Sequence, residues 1–125
     1  MKIRESAEDY LETIYMLRQS MGMVRSIDIA NDMNFSKPSV SIALKKLRES
    51  GYVQIDGGGF ITLTESGTEI AERVFERHIL LSQVLIALGV DEKTAREDAC
   101  RLEHDLSVES FEKIKQYCKN AGLVQ

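Results

Sequence analysis

The hydrophobic period of the chain changes at Gly51. Before it, "SKPSVSIALKKLRES" carries Val40, Leu44 and Leu47 at spacings of four and three, which is one face of a helix. After it, "YVQIDGGGFITLT" alternates instead. Val53 and Ile55 are followed by Gly57, Gly58 and Gly59, then by Ile61 and Leu63 between threonines. A helix that stops on a glycine and runs at once into two short alternating strands around a glycine turn admits few folds.

The upstream sequence narrows the choice. "SAEDYLETIYMLRQS" has Tyr10, Ile14 and Leu17 in helical register, with Ser6 as N-cap and Asp9 three positions later. "SIDIANDM" predicts a short second helix with Ile27, Ala30 and Met33 inward, and "NF" is a tight connection to the third. Pro38 suits the first turn of that third helix. Three short helices and a hairpin describe a winged helix-turn-helix, whose third helix enters the DNA major groove.

The rest of the chain predicts helices only. "ESGTEIAERVFERHILLSQVLIALG" is long, with Ile70, Val74, Leu81, Leu85 and Leu88 on one stripe and Gly89 as its stop. Asp91 opens another helix, and Ser107 caps a last one that runs through Phe111, Ile114 and Tyr117. The fold class is therefore mainly α with a small β-hairpin. Residues 1–64 form the winged helix-turn-helix and residues 65–125 a helical domain.

Charge follows this division. Residues 1–64 hold eight Lys/Arg against eight Asp/Glu, and residues 65–125 hold eight against twelve, which is the whole net charge of −4. Between Arg25 and Gln54 there are five basic and three acidic residues, a locally basic element on an acidic protein. Ser36, Lys37, Ser39 and Ser41 lie near the start of the third helix, where side chains reach base edges or phosphates. Lys45, Lys46 and Arg48 further along suit backbone contacts, and Arg25 before the second helix is a further DNA-binding candidate. The ordinary alternative for each is a solvated helix position. No apolar run approaches the roughly 20 residues of a membrane span, and "MKIRESAEDY" has no signal-peptide core. A cytoplasmic protein without membrane contact is expected, with Cys100 and Cys118 as free thiols or ligands.

One short stretch carries chemistry of another kind. In "DACRLEHDLS", Cys100, Glu103 and His104 fall at i, i+3 and i+4, so one helix face holds a thiol, a carboxylate and an imidazole. All three ligate transition metals of intermediate softness. His78, in register with the Ile70–Val74–Leu81–Leu85 stripe, faces inward, and it and His104 are the only two histidines. Asp9 and Glu12 form an i, i+3 acid pair on the first helix. Each has an ordinary reading as well. Cys100 reads as a small core residue, His78 as a core histidine bonded to a carbonyl, Asp9 as a first-turn acid favoured by the helix dipole, and Glu12 as a solvated side chain.

The order of elements, with "EDYLETIYML", then "RHILLSQVL", then "ACRLEHDLS", resembles the metal-dependent repressors of the diphtheria toxin repressor and manganese transport regulator family. The resemblance covers essentially the whole chain. Its specific part is the "AC-R-x-EH-x-x-S" pattern joined to the upstream "RH". It implies that Asp9, Glu12, His78, Cys100, Glu103 and His104 hold an activating Fe(II) or Mn(II), with Zn(II) or Co(II) also admitted by a thiolate. It implies a homodimer through the C-terminal helices, bound to double-stranded DNA at an inverted repeat. Leu80, Val84, Leu102, Leu106 and Phe111 offer apolar surface for that interface or for the core.

The chain is a hybrid of the family's two branches. Cys100 resembles the iron branch, where the manganese branch has Glu. Asp9 and Glu12 resemble the manganese branch. The sequence ends at Gln125, without the SH3-like domain of the iron branch. The resemblance implies a staple: Asp9 and Glu12 belong to the DNA-binding part and the other ligands to the C-terminal part, so a cation would link ligand occupancy to DNA affinity. The rival readings are a winged-helix regulator without metal control, and a metalloenzyme. The second lacks an H-E-x-x-H pattern and any further polar cluster for a substrate.

Overall fold

The computed structural model describes residues 2–123, with side chains from Ser6 onward. It contains six helices and one two-stranded sheet: α1 (Lys2–Met21), α2 (Ser26–Met33), α3 (Lys37–Glu49), β1 (Val53–Ile55), β2 (Ile61–Leu63), α4 (Glu65–Ala87), α5 (Glu92–Leu102) and α6 (Val108–Asn120). The expected element order and fold class hold. The chain divides into two compact units inside α4, after Glu72.

Unit 1 is the winged helix-turn-helix. Its core gathers Leu11 and Ile14 of α1, Val24, Ile29 of α2, Val40, Leu44 and Leu47 of α3, and Val53 and Ile61 of the hairpin. The α3 stripe read from the sequence is the buried one. Ser36 caps α3 by accepting from the Ser39 N–H, and Pro38 sits in the first turn. The α2–α3 turn closes on Asn34, in left-handed conformation, with the Phe35 N–H bonded to the Ala30 carbonyl at 3.0 Å. Phe35 then tilts against Tyr10, ring centroids 6.1 Å apart.

Unit 1 departs from the sequence expectation in α1 and in α2. Helix α1 begins at Lys2, so Ser6 lies inside it and is no N-cap. Nothing in "KIRE" breaks a helix, and propagation past Ser6 follows. In α2, Ile29 and Ala30 are buried while Ile27 is exposed, because a two-turn helix has room for only a narrow inward face.

The wing is antiparallel, pairing Val53 with Leu63, Gln54 with Thr62 and Ile55 with Ile61. Asp56 organises its tip as much as the glycines do. Its Oδ1 accepts from the Gly58 N–H at 2.8 Å and the Phe60 N–H at 3.0 Å. The open edge of β2 is satisfied by the α1–α2 connection. The Ile61 N–H reaches the Val24 carbonyl at 2.8 Å, and Arg18 donates to the Ile61 carbonyl at 3.1 Å. Thr64 caps α4 by accepting from the Gly67 N–H. A side chain at Gly67 would meet the Tyr52 carbonyl oxygen at 2.1 Å, so only glycine lets α4 start against the wing root.

Unit 2 holds the rest of α4 with α5 and α6. Leu80, Phe111 and Cys118 form its buried cluster, with Val84 and Ile114 against them. Asp91 and Ser107 cap α5 and α6 as expected, accepting from the Thr94 and Ser110 N–H groups. Tyr117 and Leu88 are exposed, so the α6 and α4 stripes end before them, and Cys118 takes the core position instead of Tyr117. Leu80 and Phe111 are consumed by this core and are not surplus surface. Ala95 and Ala99, both fully buried, are the inward face of α5.

Candidate metal centre and nucleic-acid interface

Helix α5 ends at Leu102, and the chain turns at once. Glu103 is its C-cap, still in right-handed helical conformation, with its N–H bonded to the Ala99 carbonyl at 3.0 Å. Glu103 therefore keeps helical register with Cys100, although it stands just beyond the helix. Its side chain is fully buried.

The two histidines converge on that carboxylate. His78 of α4 places Nδ1 3.1 Å from Glu103 Oε2. His104 places Nε2 3.5 Å from Glu103 Oε1. A Glu103 oxygen also lies within 4.8 Å of the Cys100 Sγ. Thus His78, reached from a helix 25 residues upstream, and the Cys100–Glu103–His104 stretch form one cluster within unit 2. Carboxylate, imidazole and thiol together make a mixed oxygen, nitrogen and sulfur donor set suited to a first-row divalent ion. A buried carboxylate beside two imidazoles is also where a cation is favoured on electrostatic grounds. Among the described residues, the hydrogen-bond partner of His78 is the Glu103 carboxylate, through Nδ1, rather than a backbone carbonyl. Cys100 is exposed, and Cys118 is the thiol that behaves as a core residue.

Asp9 and Glu12 lie on α1, in unit 1. At about 100° per residue, Asp9 stands nearly opposite Leu11, and Glu12 nearly opposite Ile14. Asp9 is half-buried and Glu12 buried. With α1 starting at Lys2, Asp9 falls in its second turn and the first-turn explanation for this acid no longer applies.

The DNA-reading candidates share one character: Arg25, Ser36, Lys37, Ser39, Ser41, Lys45, Lys46 and Arg48 are all exposed. Ser36 is partly committed, since its Oγ caps α3 and donates to the Ser39 Oγ at 2.9 Å. The Arg25 guanidinium stacks over the Phe60 ring of the wing at 4.4 Å. Ile42 belongs with these exposed residues although it is neither polar nor part of the α3 stripe. It stands two residues, about 200°, from the buried Val40 and Leu44, and is 59% exposed in the middle of α3. Its signal was available, as the one large aliphatic residue of α3 outside the stripe. Arg77 is a further residue of interest, and no local sequence pattern marks it. It is buried on α4 and donates to the carbonyls of Glu103 and Leu106.

Residues 2–58 match the family model for the iron-dependent repressor N-terminal DNA-binding domain, and residues 64–122 match that for the iron-dependent repressor metal-binding and dimerisation domain. The chain belongs to the iron-dependent repressor family. This is the family of the diphtheria toxin repressor and manganese transport regulator, whose members are metal-dependent transcriptional regulators and not enzymes. An uncharacterised HTH-type transcriptional regulator of Methanocaldococcus jannaschii is 40% identical over 113 residues, covering 89% of this chain and 90% of its own. The HTH-type transcriptional regulator MntR of Lysinibacillus sphaericus is 37% identical over 109 residues, covering 87% and 78%. Among solved structures, the manganese regulator SloR aligns with a TM-score of 0.81 and 30% identity over 90% of this chain. The chain spans about half of SloR, 53% of its length. Among the described residues of this repressor-family chain, no helix is long and apolar enough to cross a membrane.

Proposed function

We propose that this protein is a repressor activated by Mn(II) or Fe(II), binding an inverted-repeat operator as a homodimer. The observation that carries this reading is the meeting of both histidines on the buried Glu103 carboxylate, with the Cys100 thiol beside it. Asp9 and Glu12 complete the proposed ligand set of Asp9, Glu12, His78, Cys100, Glu103 and His104, on the strength of the sequence pattern and family. The proposed division of the chain into a DNA-binding part, 1–64, and a metal-binding and dimerisation part, 65–125, follows the same pattern.

A bound divalent cation supplies positive charge for the carboxylates and stabilises the Cys100 thiolate. The protein does the rest. His78 and Glu103 hold each other in place, and His104 borders the second carboxylate oxygen. Likeness to manganese regulators supports Mn(II), whereas the thiol of Cys100 favours Fe(II) and admits Zn(II) or Co(II). On the DNA, α3 lies in the major groove. Ser39, Ser41 and Ile42 face base edges, Ile42 through apolar contact with a thymine methyl. Lys37, Lys45, Lys46, Arg48 and Arg25 serve phosphates, and two-fold symmetry sets the half-site spacing.

The test is anaerobic titration with Mn(II), Fe(II) and Zn(II), followed by selection of DNA from random duplexes with and without each metal. Metal-dependent enrichment of an inverted repeat is expected. Selection of the same DNA after chelation would leave a winged-helix regulator without metal control. Tight metal binding with no DNA selected at all would overturn the repressor reading.

A further inference from the structure

Arg77 is a cation buried to 7% exposure, and its partners are unusual for one. Its Nη1 donates to the Glu103 carbonyl at 3.0 Å and to the Leu106 carbonyl at 2.7 Å. Its guanidinium carbon lies 5.2 Å from the Phe111 ring centroid. Its Nε finds no acceptor among the described residues. A guanidinium held, among the described residues, by neutral carbonyls and one ring, with its Nε–H left without an acceptor there, is a poor device for stability. An apolar side chain of similar length would avoid the desolvation cost. What the guanidinium does achieve is geometric. The carbonyls it bridges bracket the turn after α5, and that turn carries Glu103 and His104. The next residue on α4, His78, meets the side chain of the same Glu103 whose backbone Arg77 holds. Adjacent residues of one rigid helix thus fix one glutamate at both ends.

We infer that Arg77 is a positioning residue for the metal centre: it pins the 103–106 turn to α4, so that the Glu103 carboxylate and His104 imidazole are aimed before any ion arrives. This rests on the metal-binding reading above. Without the pin, the turn would have to order itself on binding, and affinity would fall by the amount characteristic of a lost outer-shell partner, about 10- to 100-fold. The contact with Phe111 makes α6 part of the same arrangement, since the ring that lines the small core of unit 2 also flanks the guanidinium.

The experiment compares wild type, Arg77→Met and Arg77→Lys in the full chain. Anaerobic Co(II) titration reads affinity and the visible ligand-field and thiolate-to-metal spectrum, and thermal unfolding is recorded without metal. Arg77→Met is expected to stay folded, to bind Co(II) about 10- to 100-fold more weakly and to show an altered spectrum. Arg77→Lys, which can reach one carbonyl, is expected to recover part of the affinity and spectrum. A merely structural role would lower the metal-free melting temperature and leave the spectrum and affinity of the folded protein unchanged, and that result overturns the inference. If Arg77→Met does not fold, Arg77→Lys decides, and wild-type Co(II) affinity in it also overturns the inference. Wild type that binds no Co(II), Mn(II) or Zn(II) would defeat the metal reading itself, and Arg77's role with it. Wild-type binding with unaffected variants would defeat the role of Arg77 alone.

Discussion

The two units of this chain are built on different terms. Unit 1 closes around a cluster of twelve buried side chains, apolar but for the Tyr10 hydroxyl, drawn from three helices, the connecting Val24, both strands and the start of α4. Unit 2 has a smaller apolar interior: Leu80, Phe111 and Cys118 form one cluster, with Val74, Leu81, Ala95 and Ala99 buried outside it. Buried polar groups are distributed the other way. Of Glu12, Arg77, Ser82 and Glu103, the last three belong to unit 2. A DNA-reading module needs a fixed platform beneath α3, and apolar packing provides it. A ligand-binding module needs carboxylate, imidazole and cation inside, and these displace apolar area that would otherwise stabilise it. On the metal-binding reading proposed above, the contrast predicts that the stability of unit 2 depends on what it binds more than that of unit 1 does.

The largest effect expected from breaking this contrast lies in the unit 1 core. Leu11→Ala should lower stability by about 2–5 kcal/mol, read from urea unfolding. A loss under about 1 kcal/mol would mean that unit 1 is not tightly packed at Leu11.

Next in size is the ion itself. Mn(II) or Zn(II) at 100 times its dissociation constant should stabilise the native state by about 2.7 kcal/mol. Amide exchange should slow chiefly around residues 99–106, with the N–H groups of α3 little changed. Uniform slowing along the chain would erase the distinction between the units.

A third prediction sharpens the role of the α4 start. Gly67→Ala forces a methyl against the Tyr52 carbonyl and should cost about 1–3 kcal/mol in thermal unfolding. It should also loosen the wing more than the Glu103 turn. An unchanged melting temperature would show that α4 can shift away from the wing root freely.

The smallest effects belong to the DNA face. Ile42→Ala should weaken operator binding by about 1 kcal/mol and relax the preference at one base position. Lys37→Ala should weaken binding to all sequences alike and reduce the salt slope by about one unit. Loss of base preference in Lys37→Ala with an unchanged slope would exchange these two assignments.

Much of the fold was legible without tertiary information. The buried α3 stripe, the α2 limits, the Asp91 and Ser107 caps and the Val53–Ile55 and Ile61–Leu63 strands all follow from interactions within about four residues along a helix or one turn of a hairpin. So does the shared face of Cys100, Glu103 and His104, because helical register persists through the Glu103 cap. Where local signals compete, the sequence misleads: Ser6 is a good N-cap but the residues before it propagate helix equally well.

What only the tertiary structure decided are contacts between residues far apart in the chain. The Tyr52 carbonyl makes Gly67 obligatory, and Arg18 closes the Ile61 carbonyl 43 residues away. His78 and Glu103 meet across 25 residues, and Arg77 reaches Glu103 and Leu106 across 26 and 29. Periodicity assigns a side chain to a face. It does not say which backbone carbonyl that face will meet, because that depends on how the whole apolar set packs. The sequence pattern singles out His78, Cys100, Glu103 and His104, which meet in unit 2, and proposes Asp9 and Glu12 of α1 beside them. Arg77, which looks like any surface arginine beside a histidine, took its meaning from two carbonyl oxygens brought to it by the fold.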